Sequence, residues 1–175
     1  MTLKNSEIPP WITQFETNLR QYVPNDDDER FMVEALKEAA RAARADEVPV
    51  GAVLVKEGRV IARGWNQMET LNDATAHAEM LCITAGAAAL ENWRLTNTTL
   101  YCTIEPCCMC AGALLLARVP TLVWGAPDLR HGAAGSWINI FEKKHPTHTI
   151  NIRKGVLEEM ATFLLKEFFG GKREK

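Results

Sequence analysis

Apolar residues recur along the chain in two periods. Trp11, Ile12, Phe15, Leu19 and Tyr22 keep roughly helical spacing and predict a short amphipathic helix that Pro24 ends. Asp26, Asp27, Asp28 and Glu29 then place negative charge where a helix N-terminus favours it. Phe31, Met32, Ala35, Leu36, Ala39 and Ala43 give the following helix one apolar face. Val50 to Val55 and Val60 to Gly64 read as strands, and Glu57-Gly58 between them predicts a hairpin. Beyond a polar loop from Asn66 to Ala74, the pattern predicts helices over 76–90, 106–117 and 156–169, with a short one over 137–141. It predicts strands over 98–104, 121–124 and 149–154. Gly170-Gly171 reads as the stop of the last helix. Helices alternate with strands after the hairpin. The expected architecture is α/β: a mixed sheet of five strands with helices on both faces, in three layers.

The length of 175 residues suits one domain. Residues 1–25 read as an N-terminal extension to a core spanning 26–175. No apolar run approaches the roughly 20 residues that a membrane span requires. The first ten residues lack the apolar centre of an export signal. A cytoplasmic protein without membrane contact is therefore expected.

Net charge is −2, but it is unevenly spread: residues 1–117 carry −6 and residues 118–175 carry +4. Lys143, Lys144, Arg153, Lys154, Lys172, Arg173 and Lys175 lie in the basic part, which suits either a phosphate-binding surface or a solvated face.

The five cysteines are Cys82, Cys102, Cys107, Cys108 and Cys110. An odd, clustered set makes a poor disulfide framework and points to metal binding or redox chemistry. Cys107 and Cys110, three apart on a helix, share a face and can reach one ion; Cys108 is rotated by about 100° and points elsewhere. His77 opens the other helix beside a carboxylate. Two thiolates and one imidazole leave the fourth tetrahedral position to water, which is the catalytic rather than the structural zinc pattern. Zinc lowers the pKa of that water to about 7 and so provides a hydroxide nucleophile. Glu79 can then carry protons to a ring nitrogen and to a departing amine. His77 and Glu79 stand about 200° apart on a regular helix, so they converge only if the helix end points at the metal.

His-x-Glu together with Pro-Cys-x-x-Cys is the pattern of zinc-dependent nucleobase deaminases. More of the chain resembles the bacterial tRNA adenosine deaminases. The runs that carry the resemblance are Glu47-Val-Pro-Val-Gly-Ala-Val-Leu-Val55, Gly64-Trp-Asn66, Thr75-Ala-His-Ala-Glu79, Thr99-Leu-Tyr101, Glu105-Pro-Cys107, Cys110-Ala-Gly-Ala113 and Gly132-Ala-Ala-Gly-Ser136. The resemblance implies a cytidine-deaminase-like fold, a homodimer, and hydrolysis of the wobble adenosine in a tRNA anticodon loop to inosine. It implies His77, Cys107 and Cys110 as zinc ligands and Glu79 as proton shuttle. It further implies that Asn66 hydrogen-bonds the flipped base, that Asp128 and His148 meet anticodon nucleotides, and that Phe168, paired with Phe169, lies near the RNA. Pro127 and Thr147 depart from the family pattern, which usually has a basic residue and an asparagine there.

Three other functions fit parts of this pattern. A deaminase of a free base such as guanine or cytosine would need a pocket closed over a small molecule. A non-catalytic zinc scaffold would have no use for Glu79. A redox dithiol protein would have no use for the His-x-Glu helix.

Overall fold

The computed structural model describes residues 8–143 and 145–173, leaving Lys144 and Lys175 of the basic stretch outside the described residues. The elements run α1(Pro10–Gln21), α2(Asp27–Arg44), β1(Gly51–Lys56), β2(Arg59–Trp65), α3(Met68–Leu71), α4(Ala78–Ala89), β3(Thr98–Ile104), α5(Cys108–Leu116), β4(Thr121–Ala126), β5(Asn151–Lys154) and α6(Glu158–Arg173). The sheet order is β2-β1-β3-β4-β5. β1 pairs antiparallel with β2 and β3, while β3–β4 and β4–β5 are parallel, so the expected mixed sheet is present.

Alternation along the strands builds two cores. Val53, Val55, Tyr101 and Val123 face α2 and α6; Leu54, Leu100, Cys102, Leu122 and Trp124 face the α4 and α5 side. The result is the three-layer α/β/α arrangement. At the β1–β2 hairpin, Glu57 and Gly58 both take positive φ, 50° and 70°, as a type I′ turn requires. Asp26 caps α2 by accepting from the Glu29 backbone N–H at 2.8 Å.

Close backbone approach fixes where α4 lies. A Cβ at Gly64 would stand 2.2 Å from the Ala78 carbonyl oxygen and 2.8 Å from the Cys82 nitrogen, so only glycine lets β2 touch that helix. α1 buries Ile12, Phe15 and Leu19, and Arg44 holds Glu16 with two hydrogen bonds of 2.7 and 2.6 Å.

Two expected elements differ. Residues 137–141 form turns and an isolated bridge, Ala134 to Asn139, rather than a helix. α6 does not stop at Gly170-Gly171 but continues to Arg173. Lys172 ties that last turn to the Asp46 carboxylate at 3.4 Å and lies over the Phe168 ring at 4.4 Å, which offsets the poor helix propensity of two glycines. No helix among the described residues is long and apolar enough to cross a membrane.

Candidate active site

α4 and α5 begin in the same way. The residue before each is extended: His77 at φ −70°, ψ 151° and Cys107 at φ −72°, ψ 174°. Each lends its carbonyl to the first helical bond, to Leu81 and Ala111 respectively. A residue at this position usually turns its side chain back to bond a free N–H. Neither His77 nor Cys107 does so, which leaves Nδ1 and Sγ free to act elsewhere. Because His77 lies outside the regular helix, the 200° separation from Glu79 expected from helical projection does not arise.

The three proposed ligand atoms form a nearly equilateral triangle. His77 Nδ1 is 3.6 Å from Cys107 Sγ and 3.5 Å from Cys110 Sγ, and the two sulfurs are 3.7 Å apart. A tetrahedral zinc ion with Zn–S of about 2.3 Å and Zn–N of about 2.0–2.1 Å requires S···S near ~3.8 Å and S···N near ~3.6 Å. The residues present therefore fit zinc. Cys108 is exposed and outside the triangle, as its rotation predicts. Both helix N-termini converge on the thiolates, and their positive ends favour that charge. The Cys107 thiol is lowered to about 4, by the hydrogen bond with Cys110 first and then by His77, against the opposing effect of burial. The same contact with Cys107, together with burial, pushes the Cys110 thiol up. His77 is raised, chiefly by its bond to Cys107.

Glu79 is buried beside the triangle, at 2% exposure. Burial raises its carboxyl to about 7; its own backbone N–H and the His77 charge oppose the rise. A carboxyl so poised can both take and give a proton near neutrality.

His77, Glu79 and Cys107 line a cleft of about 790 Å³. Asn66 lines it, buried, with its side-chain nitrogen donating to Glu47 at 3.2 Å. Asp128 also lines it. Its Oδ1 accepts from the backbone of Arg130 at 2.9 Å and of His131 at 3.1 Å, so it caps its own turn as well as facing the cleft. The structure does not bring His148 or Phe168 to this cleft. His148 Nε2 bonds the Val119 carbonyl at 2.7 Å, at the end of β4 where the strand begins, while the cleft opens where it ends. Phe168, on α6, is buried, with the Lys172 ammonium 4.4 Å from its ring centre. Its neighbour Phe169, 45% exposed and edge-on to it at 5.4 Å, lines the cleft instead.

Sequence reasoning missed the rim residues Leu129, Arg130 and His131 and the structural use of Glu47 and Glu105. Glu47 accepts from Asn66, Glu69 and Thr70; Glu105 accepts from Asp128, Ala134 and Ser136. For Glu105 the available signal was a lone acid beside proline in an otherwise apolar run, Ile104-Glu105-Pro106; Glu47, which follows Asp46, carried no such signal.

The family model for the cytidine and deoxycytidylate deaminase zinc-binding region matches residues 25–126. The chain is 55% identical over 158 residues to the chloroplastic tRNA(adenine(34)) deaminase of Arabidopsis thaliana, a match covering 81% of this chain but 12% of that much longer protein. It is 47% identical over 148 residues to the tRNA-specific adenosine deaminase of Bacillus subtilis, covering 85% of this chain and 92% of that one. A solved structure from a study of A-to-I editing by tRNA:A34 deaminases superposes with a TM-score of 0.75 at 44% identity, covering 78% of this chain and 99% of the other.

Proposed function

The chain belongs to the zinc-binding cytidine and deoxycytidylate deaminase family, among the tRNA-specific adenosine deaminases, and from that premise we propose that it hydrolyses the wobble adenosine of a tRNA anticodon loop to inosine. The observation that carries the reading is the ligand triangle with sides of 3.5–3.7 Å and a buried carboxyl beside it.

His77, Cys107 and Cys110 would hold the zinc. The bound ion supplies Lewis acidity, which brings the pKa of a water in the open position toward neutrality. Glu79 accepts a proton from the attacking water and delivers it to N1 of the adenine ring. It then passes the second proton to the exocyclic amine, so that the C6–N bond breaks as the C6–O bond becomes a carbonyl. Adenosine and water thus give inosine and ammonia. The burial of Glu79 keeps bulk water from short-circuiting these transfers.

Asn66 is the base-reading residue of this proposal. Glu47 holds its amide nitrogen, which fixes how the amide faces a purine edge. Asp128 and Phe169 both line the cleft, where nucleotides flanking a flipped base would pass. An anticodon loop suits such a site because its bases splay out without melting a helix. The Arg130 and Lys172 side chains at the cleft supply positive charge for the RNA backbone. The reading extends to a homodimer, supported by the exposed apolar side chains Leu116 and Trp137; sedimentation at micromolar concentration checks it, and a stable 19.5 kDa monomer would remove it.

The deciding experiment incubates the zinc-loaded protein with an anticodon stem-loop carrying adenosine at the first anticodon position and measures its nucleoside content. Inosine at that position is expected. Turnover of free guanine or cytosine with none of the stem-loop would transfer the chain to the free-base deaminases.

A further inference from the structure

Glu105 is the last residue before Pro106-Cys107 and is 1% exposed. No lysine or arginine pairs with it among the described residues. Its carboxylate is satisfied by three backbone N–H groups of a single loop: Oε1 accepts from Ala134 at 2.7 Å and Ser136 at 3.1 Å, and Oε2 accepts from Asp128 at 3.2 Å. Gly132 makes the room. A Cβ there would lie 2.4 Å from Glu105 Oε2 and 2.4 Å from the Asp128 carbonyl oxygen. The loop is therefore wrapped around the carboxylate, and the segment it suspends carries Asp128, Arg130 and His131 to the cleft rim.

We infer that Glu105 is a positioning residue for substrate specificity: by accepting three N–H groups, it sets the distance between the Asp128–His131 rim and the zinc site, and so governs how the RNA flanking the target base is held. The inference rests on the deaminase reading above. A carboxylate suits the task better than an amide. Every contact on this side chain is from a donor, and a glutamine can turn only one acceptor oxygen toward them. The orientation that keeps both Ala134 and Ser136 places the amide nitrogen against the Asp128 N–H, donor against donor. Glu105→Gln thus releases the Asp128 end of the loop while holding the other end.

The test measures RNA binding, kcat and KM on the stem-loop for the parent, Glu105→Gln, Gly132→Ala, Asp128→Asn and the Glu105→Gln/Asp128→Asn double variant, with zinc content for each. Glu105→Gln is expected to keep its zinc, to weaken RNA binding and raise KM about tenfold, the usual consequence of one unsatisfied buried donor, and to hold kcat within about threefold. The double variant is expected to be little worse than Glu105→Gln alone, because both changes act through one rim. Gly132→Ala attacks the same contact from the loop side and decides the matter if Glu105→Gln does not fold. A fall in kcat at constant KM, additive effects in the double variant, or parent-like binding would each overturn the assignment. So would joint loss of fold and zinc in both Glu105→Gln and Gly132→Ala, since the contact would then belong to the core. A parent without turnover but with normal RNA binding would refute the deaminase reading while the binding data still judged Glu105; a parent that does neither sinks both.

Discussion

The metal site is assembled from two helices, so its geometry depends on how each is seated on the sheet, and Gly64→Ala tests that dependence. The added Cβ would lie 2.2 Å from the Ala78 carbonyl oxygen and 2.8 Å from the Cys82 nitrogen, where ordinary contact begins at 3.4 Å. The shortfall is about 1.2 Å at Ala78. Both opposing atoms are backbone, so no side chain can rotate away, and α4 itself has to move. Ala78 directly follows His77 and precedes Glu79. A shift of that size therefore reaches both residues, whereas Cys107 and Cys110 stay with α5. Metal sites tolerate ligand displacements of only about 0.2 Å, and a misplacement of about 1 Å near the chemistry costs about 10²-fold in rate. Overpacking against rigid atoms costs about 1–3 kcal/mol, and this contact belongs at the upper end. The expected result is a loss of about 3 kcal/mol in chemical denaturation, zinc affinity reduced by tenfold or more in chelator competition, and turnover down by about 10²-fold. If Gly64→Ala keeps stability within about 0.5 kcal/mol and holds zinc like the parent, the seating of α4 on β2 does not control the site.

Cys107→Ser and His77→Ala should lose zinc and thermal stability together, while Cys108→Ser, altering an exposed thiol, should keep both; equal zinc loss in Cys108→Ser would refute the ligand set. Glu79→Ala should keep zinc and fold and lose at least ~10²–10⁴-fold in turnover, and activity above about a tenth of the parent would move the shuttle elsewhere. Asp128→Asn preserves an oxygen for the turn cap but removes the charge, so single-turnover rates on matched RNA and DNA hairpins should converge; an equal fall on both would make Asp128 purely structural. Arg44→Ala should loosen α1 by up to about 1 kcal/mol, since this pair is partly solvated. The hydrogen bond from Arg44 is the first cause holding the Glu16 carboxyl below its ordinary value of 4.5. The pair's contribution is therefore present above that pH and lost as pH falls through the lowered folded value; a parent–variant difference in denaturation that persists undiminished in strong acid would contradict this.

Much of this was legible where local rules act alone. The alternation of Val53 and Val55 against Leu54 sets both faces of β1, and the spacing of Phe31, Met32, Leu36 and Ala39 sets the buried face of α2. The cluster of candidate zinc ligands was legible because donor chemistry and spacing are local too. What was not legible depends on partners distant in sequence. Gly170-Gly171 looked like a stop, but Lys172 finds Asp46 across the fold. Trp137 to Phe141 was expected as a short helix, yet the backbone of Trp137 and Ile138 is committed to the Gly132 carbonyl. Phe168 and Phe169 are adjacent, and helical rotation alone sends one to the core and the other to the cleft; nothing in the pair itself says which. For His148, resemblance alone suggested the RNA, and a bond to Val119 places it at the opposite end of the sheet.

Three buried glutamates line or border one cleft, and their surroundings assign them different work. Burying an ionised carboxylate is expensive unless donors replace its water. Glu47 has three such donors and Glu105 has three, all but one of them backbone N–H groups, so each is a scaffold around which a loop is arranged. Burial outweighs the relief Glu79 receives from its own backbone N–H, the His77 charge and the Cys110 thiol, and lifts its carboxyl to about 7. A carboxylate that has committed its lone pairs to the fold cannot also shuttle protons, because each transfer would break the bonds that hold a loop. An uncommitted one can be protonated and deprotonated without moving the backbone. The contrast separates the two substitutions by kinetics: change at Glu79 should act on kcat with RNA binding intact, and change at Glu105 should act on binding with kcat nearly intact. The same reasoning suits the proposed shuttle's place at the start of α4 rather than on a loop. There it is held by a helix seated directly on β2 through Gly64, at a fixed distance from the ligands it must serve.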